Sequence, residues 1–205
     1  TIEASGLIVD NQKSGVWKEW RDGALETRTY EDGLVIGVVR RQYPDGSMET
    51  GQYQEGQRHG LWSRRDRDER PVREVEYVAG VQQGIAKAWH PNGQSRSLSH
   101  FLNGRLHDVQ QIWYPSGQAK IRGRYRCGLK DGQWQSWHPN GVRLQHGYYA
   151  DGERVGLWVK WNDRGSVISE EYLDIPVDEM GRPAMTLRTP DGILQPLETA
   201  CRAES

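Results

Sequence analysis

The side chains best suited to acid–base or metal chemistry are dispersed in this sequence. The adjacent pairs His107–Asp108 and Glu170–Glu171 come nearest to a general base or a metal-ligand set. His90 and His138 do not converge on one spot, because they fill equivalent turn positions of an internal repeat. The sequence has no HExxH, paired CxxC, GxSxG or GxxxxGK(S/T) pattern. We therefore expect polar turn residues here and predict a non-enzyme with no metal, no cofactor and no small-molecule substrate.

The elements that position these residues come from a repeat of about 24 residues that occurs seven times. The repeats start at Gly15, Gly37, Gly60, Gly84, Asp108, Gly132 and Gly156. All nine tryptophans fall into two positions: slot two, two residues after the start, and slot five, five residues after it. Slot two holds Trp17, Trp62, Trp134 and Trp158; slot five holds Trp20, Trp89, Trp113, Trp137 and Trp161. Such self-similarity predicts a stack of units that bury their apolar sides against one another.

Each repeat has the pattern of two short strands and two tight turns. In the sixth repeat an aromatic strand is followed by His138-Pro-Asn-Gly141, a sequence that favours a hairpin turn. A second strand ends at Tyr149, before a turn at Gly152. The glycine that starts each repeat is expected to let backbones and indole rings approach closely. The sequence predicts an all-β fold, an elongated antiparallel meander of about seven two-stranded repeats (about fourteen strands) over residues 1–173, with a non-repeat C-terminal cap at 174–205.

The two tryptophan columns are expected to differ in exposure. Slots two and five are three residues apart, so in a regular strand their side chains point to opposite faces. One column is then internal and the other lines a face, whereas a curled sheet would bury both. Ala86 and Gln110 replace tryptophan in slot two, which favours slot two as the more exposed column. The tryptophans that we nominate for partner contacts nevertheless belong to slot five, and they are Trp89, Trp113, Trp137 and Trp161.

The third repeat departs from the pattern at its turn. A mixed charge run carries an arginine in slot five and Glu69 in place of the turn glycine. A solvated loop accounts for such a run, and a protruding contact specific to a partner is the alternative. The arginines nominated for partner binding are Arg64, Arg65, Arg67 and Arg70.

Composition limits the partners and bears on the compartment. The formal net charge of -1 argues against a nucleic-acid partner, and no apolar run is long enough to span a membrane. The two cysteines, Cys127 and Cys201, are either free thiols or one disulfide that ties the C-terminal segment to the fifth repeat. A disulfide would indicate an oxidising compartment.

The repeats, written loosely as G-x-W-x-x-W-x-x-N-G followed by Y-x-x-G over residues 13–173, resemble the bacterial variant of the MORN repeat. The chain is similar to the antitoxin or immunity proteins of the YwqK class, which are built from this variant. The resemblance implies a single-sheet fold and a cognate secreted toxin, which the chain would neutralise by covering its active site or substrate approach. We predict a periplasmic location, which fits a toxin that acts on the cell envelope and a Cys127–Cys201 disulfide; a toxin that acts inside the cell would place the chain in the cytoplasm instead.

Two other functions are alternatives. Eukaryotic MORN proteins, which the chain resembles more distantly, are linked to membrane lipids and to scaffolding. Attraction to anionic lipid needs clustered lysine and arginine, and only six of the 27 basic residues here are lysine. A scaffold would form by pairing of open sheet edges between chains.

Overall fold

The computed structural model describes residues 4–174, which form sixteen strands. This described part of the chain holds no helix long and apolar enough to cross a membrane. The chain divides into two compact units, Thr1–Gly93 and Gln94–Ser205, called here the N-terminal and C-terminal units. The predicted fold class, an all-β antiparallel meander of MORN-like repeats, is confirmed. The predicted division into 1–173 and 174–205 stays a prediction, because residues 175–205 lie outside the described part.

In the N-terminal unit every strand pairs antiparallel with the next one along the chain. Its strands are β1 (Ala4–Val9), β2 (Gln12–Arg21), β3 (Ala24–Glu31), β4 (Leu34–Gln42), β5 (Met48–Gln54), β6 (Gln57–Arg65), β7 (Pro71–Val78) and β8 (Val81–Trp89).

The C-terminal unit continues the same antiparallel pattern, except that the two-residue strand β10 pairs only with β9, and β9 pairs onward with β11. Its strands are β9 (Ser95–Leu102), β10 (Arg105–Leu106), β11 (Asp108–Trp113), β12 (Ala119–Arg126), β13 (Leu129–Trp137), β14 (Arg143–Ala150), β15 (Glu153–Trp161) and β16 (Val167–Leu173). The two strands beyond the predicted fourteen are β1, which precedes the first repeat, and β10, which exists because the first strand of the fifth repeat is interrupted at His107.

The glycine that starts each repeat has a conformational role, and the predicted close approach at this position is wrong. Gly15 and Gly132 have φ of 67° and 69°, in the left-handed region that side chains disfavour. A β-carbon at either position would meet nothing within 4 Å. Asp108 fills the same position at φ 61°, which fits the tolerance of aspartate for this region.

The close approach occurs instead at a glycine in the second strand of the preceding repeat. A β-carbon on Gly123 or Gly147 would overlap the indole ring of Trp134 or Trp158, and the same holds for Gly51 beneath Trp62. These glycines let the indole lie flat on the neighbouring backbone. The strand pairing shifts register there, for example between Arg122 and Arg124 on β12.

The slot-two tryptophans are buried, so the prediction that slot two is the more exposed column is wrong. Trp62 and Trp158 are 2% and 5% exposed. Every slot-two indole N–H donates to the backbone carbonyl that follows the facing glycine, as in the 3.1 Å bonds from Trp134 to Arg124 and from Trp158 to Tyr148. The equivalent bonds join Trp17 to Leu7 at 3.0 Å and Trp62 to Gln52 at 3.2 Å.

Slot two holds a small or polar residue where the residue that faces it on the neighbouring strand also differs from glycine. Ala86 faces Val75, which is 3% exposed, so the lost indole is partly replaced by a larger neighbour. Gln110 donates through Nε2 to the hydroxyl of Ser99 at 3.2 Å. The polarity of slot two therefore reflects paired substitutions and carries no information about exposure.

A cation and a tyrosine complete each tryptophan site. Lys130 lies 4.6 Å from the Trp134 ring and 4.8 Å from the Tyr149 ring, and Tyr149 meets Trp134 edge-on at 5.6 Å. The cation always stands two residues before the start of its repeat, and the other members of the set are Lys13, Arg58 and Arg154. The three repeats without a slot-two tryptophan have Val35, Gln82 and Leu106 at this position. The chain's own cations thus occupy its buried aromatic sites.

Candidate functional site

The slot-five tryptophans lie on the face opposite the slot-two column. No residue between Trp134 and Trp137 has a positive φ, so strand alternation separates the two rings. Trp89, the last residue of β8 in the N-terminal unit, is half-buried. In the C-terminal unit Trp113, Trp137 and Trp161 end β11, β13 and β15 and are also half-buried. We call these last three the tryptophan row.

The turns that follow the strands fix the row in place. In the fifth repeat Tyr114 N–H donates to the Gln118 carbonyl and Gly117 N–H to the Tyr114 carbonyl, both at 2.9 Å. The Tyr114 hydroxyl then donates to the Trp137 carbonyl at 2.9 Å. His138 makes the equivalent bond through Nε2 to the Trp161 carbonyl at 3.0 Å. Each turn is thereby tied to the tryptophan of the next repeat, so the backbone beneath the row is preorganised.

The indole N–H groups distinguish the two columns further. Those of slot two are all bonded within the fold. Among the described residues, the indole N–H groups of Trp137 and Trp161 have no acceptor, although the backbone carbonyls of both residues are bonded. Tryptophan is enriched at interfaces, where its N–H finds a partner, so a half-buried ring whose N–H has no acceptor in the fold is a candidate interface anchor.

Three basic side chains on and near the row have no carboxylate partner among the described residues. The Lys120 ammonium lies 5.4 Å from the Tyr114 ring, and the Arg143 guanidinium lies 5.6 Å from the Trp161 ring. Arg122 borders a cleft of about 250 Å³ lined also by Val109, Gly123, Arg124, Gln133 and Gln135. Within the described part of the chain, Lys120, Arg122 and Arg143 form no ion pair, whereas Arg124 pairs with Asp108 at 3.3 Å. The surroundings of the row therefore favour an anionic partner.

Burial lowers the pKa of His146 in the same region, and the nearby positive charge of Arg143 lowers it further. His146 Nε2 lies 2.9 Å from Gln133 Nε2, and its ring is 5.7 Å from that of Tyr148. The neutral imidazole is therefore favoured at neutral pH.

The nominated arginines of the third repeat lie apart from the row, in the N-terminal unit. Their turn has the same hydrogen bonds as the glycine-containing turns, with Asp66 N–H donating to the Arg70 carbonyl at 2.9 Å and Glu69 at φ 60°. It follows the regular path, without a protruding loop. Arg70 is bound to Asp66 and Asp68 at 2.9 and 2.6 Å. Arg65 donates to the Glu69 carbonyl at 3.0 Å.

The other two nominated arginines are Arg64 and Arg67. Arg64 donates to the Ser47 hydroxyl at 2.7 Å and stacks 4.0 Å from the Tyr43 ring. The Arg67 side chain is 78% exposed and lies 4.0 Å from Asp68. All four arginines thus contact their own turn or the neighbouring one, and Arg67 is largely solvent-exposed.

The residues considered for acid–base or metal chemistry do not form a site. His107 Nδ1 accepts from the Cys127 N–H at 3.4 Å, and Glu171 pairs with Arg154 at 3.4 Å. No group of three His, Cys, Asp or Glu that could hold a metal ion occurs among the described residues. Cys127 is buried and disulfide-bonded. Cys201 lies outside the described residues, so its pairing with Cys127 stays a prediction.

Two features were missed from the sequence. One is a buried ion-pair cluster in the N-terminal unit around Glu26, whose neighbours are Arg28 and Arg41. The other is a column of aliphatic residues in slot one, the position directly after the repeat start, where Val16 and Leu61 are 60% and 51% exposed. The sequence carries a signal for the second, since six of the seven slot-one residues are aliphatic: Val16, Val38, Leu61, Ile85, Val109 and Leu157.

Comparison with protein families agrees with this geometry. The family described as MORN repeat variant matches residues 82–103 and 130–151, which lie in the fourth and sixth repeats. A comparison with curated proteins finds no match to this chain. The chain therefore carries MORN-type repeats, which are generic modules of scaffolds and binding surfaces. Its assignment to the YwqK class of immunity proteins stays a prediction.

Proposed function

We propose that this chain is an immunity protein that binds a cognate secreted bacterial toxin and neutralises it by covering its active site or substrate approach. The observation that carries the proposal is the contrast between the two tryptophan columns. The slot-two tryptophans are buried and hydrogen-bonded, whereas Trp137 and Trp161 of slot five are half-buried and their indole N–H groups have no acceptor among the described residues. Tryptophan is over-represented among the interface residues that dominate binding energy.

Rigidity supports inhibition by binding. The backbone under the row is fixed by the Tyr114 and His138 bonds, so little conformational entropy would be lost when a partner docks. A standard interface covers about 800 Å² on each partner. A repeat sheet offers such an area without needing a deep pocket. Occlusion also requires no catalytic group, which agrees with the proposal that the chain is a non-enzyme.

We also propose a periplasmic location, because a disulfide persists in oxidising compartments and Cys127 is disulfide-bonded. A thiol assay on the native, unreduced protein is expected to count no reactive cysteine. Two reactive thiols would contradict the disulfide and favour the cytoplasm.

The toxin proposal is tested with the secreted-type enzyme that affinity capture with this chain recovers from its native cells. Its activity is measured with wild-type protein, with Trp137→Ala, and with Trp20→Ala as a matched slot-five control in the other unit. We expect Trp137→Ala to weaken inhibition at least about tenfold and Trp20→Ala to leave it within about twofold. Full inhibition by a folded Trp137→Ala and Trp161→Ala double variant would overturn the assigned face, and no inhibition by wild type would overturn the immunity role.

The alternatives are separated by two further measurements. Lys13, Arg58, Lys130 and Arg154 stack on the chain's own rings, which supports a protein partner over a lipid surface. We expect no flotation with phosphatidylserine vesicles at low salt, and binding there would favour the lipid-surface function. A concentration-independent monomer in light scattering is expected, whereas growing oligomers would favour a scaffold.

A further inference from the structure

We propose that the tryptophan row binds an extended, acidic segment in the polyproline II conformation, with prolines at every third residue. The inference rests on the proposed function, since it takes the row to be the partner-binding site and names the kind of segment that the row accepts. It places that segment across strands β11 to β15 of the C-terminal unit.

The spacing of the tryptophans in the row matches the period of a polyproline II helix. Trp113, Trp137 and Trp161 end alternate strands, with one strand between each pair, so equivalent positions repeat every two strands. At about 4.8 Å for each strand the period is about 9.6 Å. A polyproline II helix advances about 9.3 Å in one turn of three residues. Over both intervals the mismatch is only about 0.6 Å.

Other regular segments fit the row less well. Side chains on one face of a β-strand recur about every 6.7 Å, which falls between successive tryptophans. An α-helix presents the same face after seven residues, or about 10.5 Å. That period drifts by about 1.8 Å over the two intervals. The row therefore favours the three-residue period.

The chemistry of the tryptophan rings also suits a polyproline II segment. The backbone of a polyproline II segment has no internal hydrogen bonds, so its carbonyl groups seek external donors. Trp137 and Trp161 present indole N–H groups with no acceptor among the described residues. Proline rings pack against aromatic faces, and such grooves are a known mode of peptide recognition.

The charges specify what stands between the prolines. Arg143 lies against the Trp161 ring, Lys120 lies against Tyr114, the residue after Trp113, and Arg122 lines the cleft between β11 and β13. None of the three has a carboxylate partner in the described part of the chain. Acidic residues in the segment would meet these cations and add charge-assisted hydrogen bonds. The segment is therefore expected to be both proline-containing and anionic.

The N-terminal unit supplies a matched control. Its slot-five positions hold Trp20, Gln42, Arg65 and Trp89, so no three consecutive repeats offer an indole. Trp20 is 47% exposed and stands outside any row of three. A loss of binding caused only by a missing indole anywhere on the surface would appear equally in Trp20→Ala.

The test uses synthetic peptides of about twelve residues and isothermal titration with the full chain. Repeating Pro-Pro-Glu is the probe, repeating Pro-Pro-Lys tests charge, and repeating Ala-Ala-Glu tests the conformation. We expect Pro-Pro-Glu to bind at least about tenfold more tightly than either control peptide. Trp137→Ala should weaken its binding at least about tenfold, Arg143→Gln about threefold with a smaller salt dependence, and Trp20→Ala less than about twofold.

Trp137→Phe guards against misfolding, because it keeps a ring but removes the N–H, and is expected to weaken binding about threefold to fivefold. Absence of Pro-Pro-Glu binding, equal binding of Ala-Ala-Glu, or equal binding by Trp137→Ala would each overturn the inference. If the peptide fails while Trp137→Ala still weakens toxin inhibition, the partner site stands and the polyproline class is discarded. If the peptide binds but no toxin is inhibited, the recognition site stands and the immunity role is discarded.

Discussion

The N-terminal and C-terminal units are built from the same kind of repeat, but the side chains that they bury are different. In the N-terminal unit the carboxylate of Glu26 is 0% exposed and lies 2.5 Å from Arg28, with Arg41 on its other side. Arg41 continues to Glu49 at 3.6 Å. In the C-terminal unit the equivalent cross-strand pairs carry no charge. They are Ile112 with Ile121 on β11 and β12, and Ser136 with Gln145 on β13 and β14.

The difference shows that the repeat fixes the backbone path and leaves the packing to pairs of facing residues. A glycine facing a tryptophan, a valine facing an alanine, and a serine facing a glutamine all occur at equivalent junctions. Charged pairs replace apolar ones in the same manner around Glu26. Each junction is therefore a local unit, as expected for a stack in which a repeat contacts mainly its neighbours.

The largest expected effect comes from exchanging one kind of junction for another. Gly123→Val places a branched side chain against the Trp134 indole and is expected to lower the free energy of unfolding by more than about 3 kcal/mol. Trp134→Ala alone should cost about 3–5 kcal/mol. The double variant recreates the Val75–Ala86 pair, so its loss should fall short of the sum by about 1–3 kcal/mol in urea unfolding. Additive losses would contradict paired packing.

Removing a charge from the buried cluster is the next largest change. Glu26→Gln leaves Arg28 and Arg41 without their shared carboxylate and is expected to cost about 3–5 kcal/mol. Glu171→Gln is the control, because its pair with Arg154 is solvent-exposed and should contribute less than about 1 kcal/mol. A similar small loss for both variants in denaturant unfolding would show that the cluster adds nothing specific to the N-terminal unit.

A smaller effect is expected from pH in the C-terminal unit. The pKa of His146 is lowered by burial and by Arg143, so the unfolded chain binds this proton at higher pH than the folded one. Its contribution to stability is complete above the unfolded pKa of about 6.5 and is lost as pH falls toward the folded value. Arg143→Gln should raise the pKa of His146, as followed by NMR. An unchanged pKa would show that Arg143 does not act on this imidazole.

Much of the fold follows from the sequence because its signals are local. The Pro-Asn-Gly turns, the repeat period and the strand-ending tyrosines each predict their element without knowledge of the neighbours. The exposure of slot two was mispredicted because Ala86 and Gln110 are explained only by Val75 and Ser99, which lie on the preceding strand. The sequence nevertheless holds a usable signal, since a lysine or arginine stands two residues before the repeat start only in the repeats whose slot two is tryptophan.

The candidate site was predictable in part. Slot five was identifiable as a column that faces away from slot two, because a three-residue offset reverses the face of a strand. In the described part of the chain the indole N–H groups of Trp137 and Trp161 have no acceptor and Lys120 and Arg143 have no ion pair, and both properties depend on the surroundings of each side chain. The burial of Glu26 is likewise set by its neighbours, since charged strand residues are usually solvated.

We propose that one tryptophan column holds the fold together while the other is available to a partner. Side-chain hydrogen exchange of the indole N–H groups tests it most directly, because NMR resolves these groups one by one. We predict slow exchange for Trp17, Trp62, Trp134 and Trp158, whose donors bond to backbone carbonyls, and fast exchange for Trp137 and Trp161. Equal protection of Trp134 and Trp137 in the free protein would contradict the account.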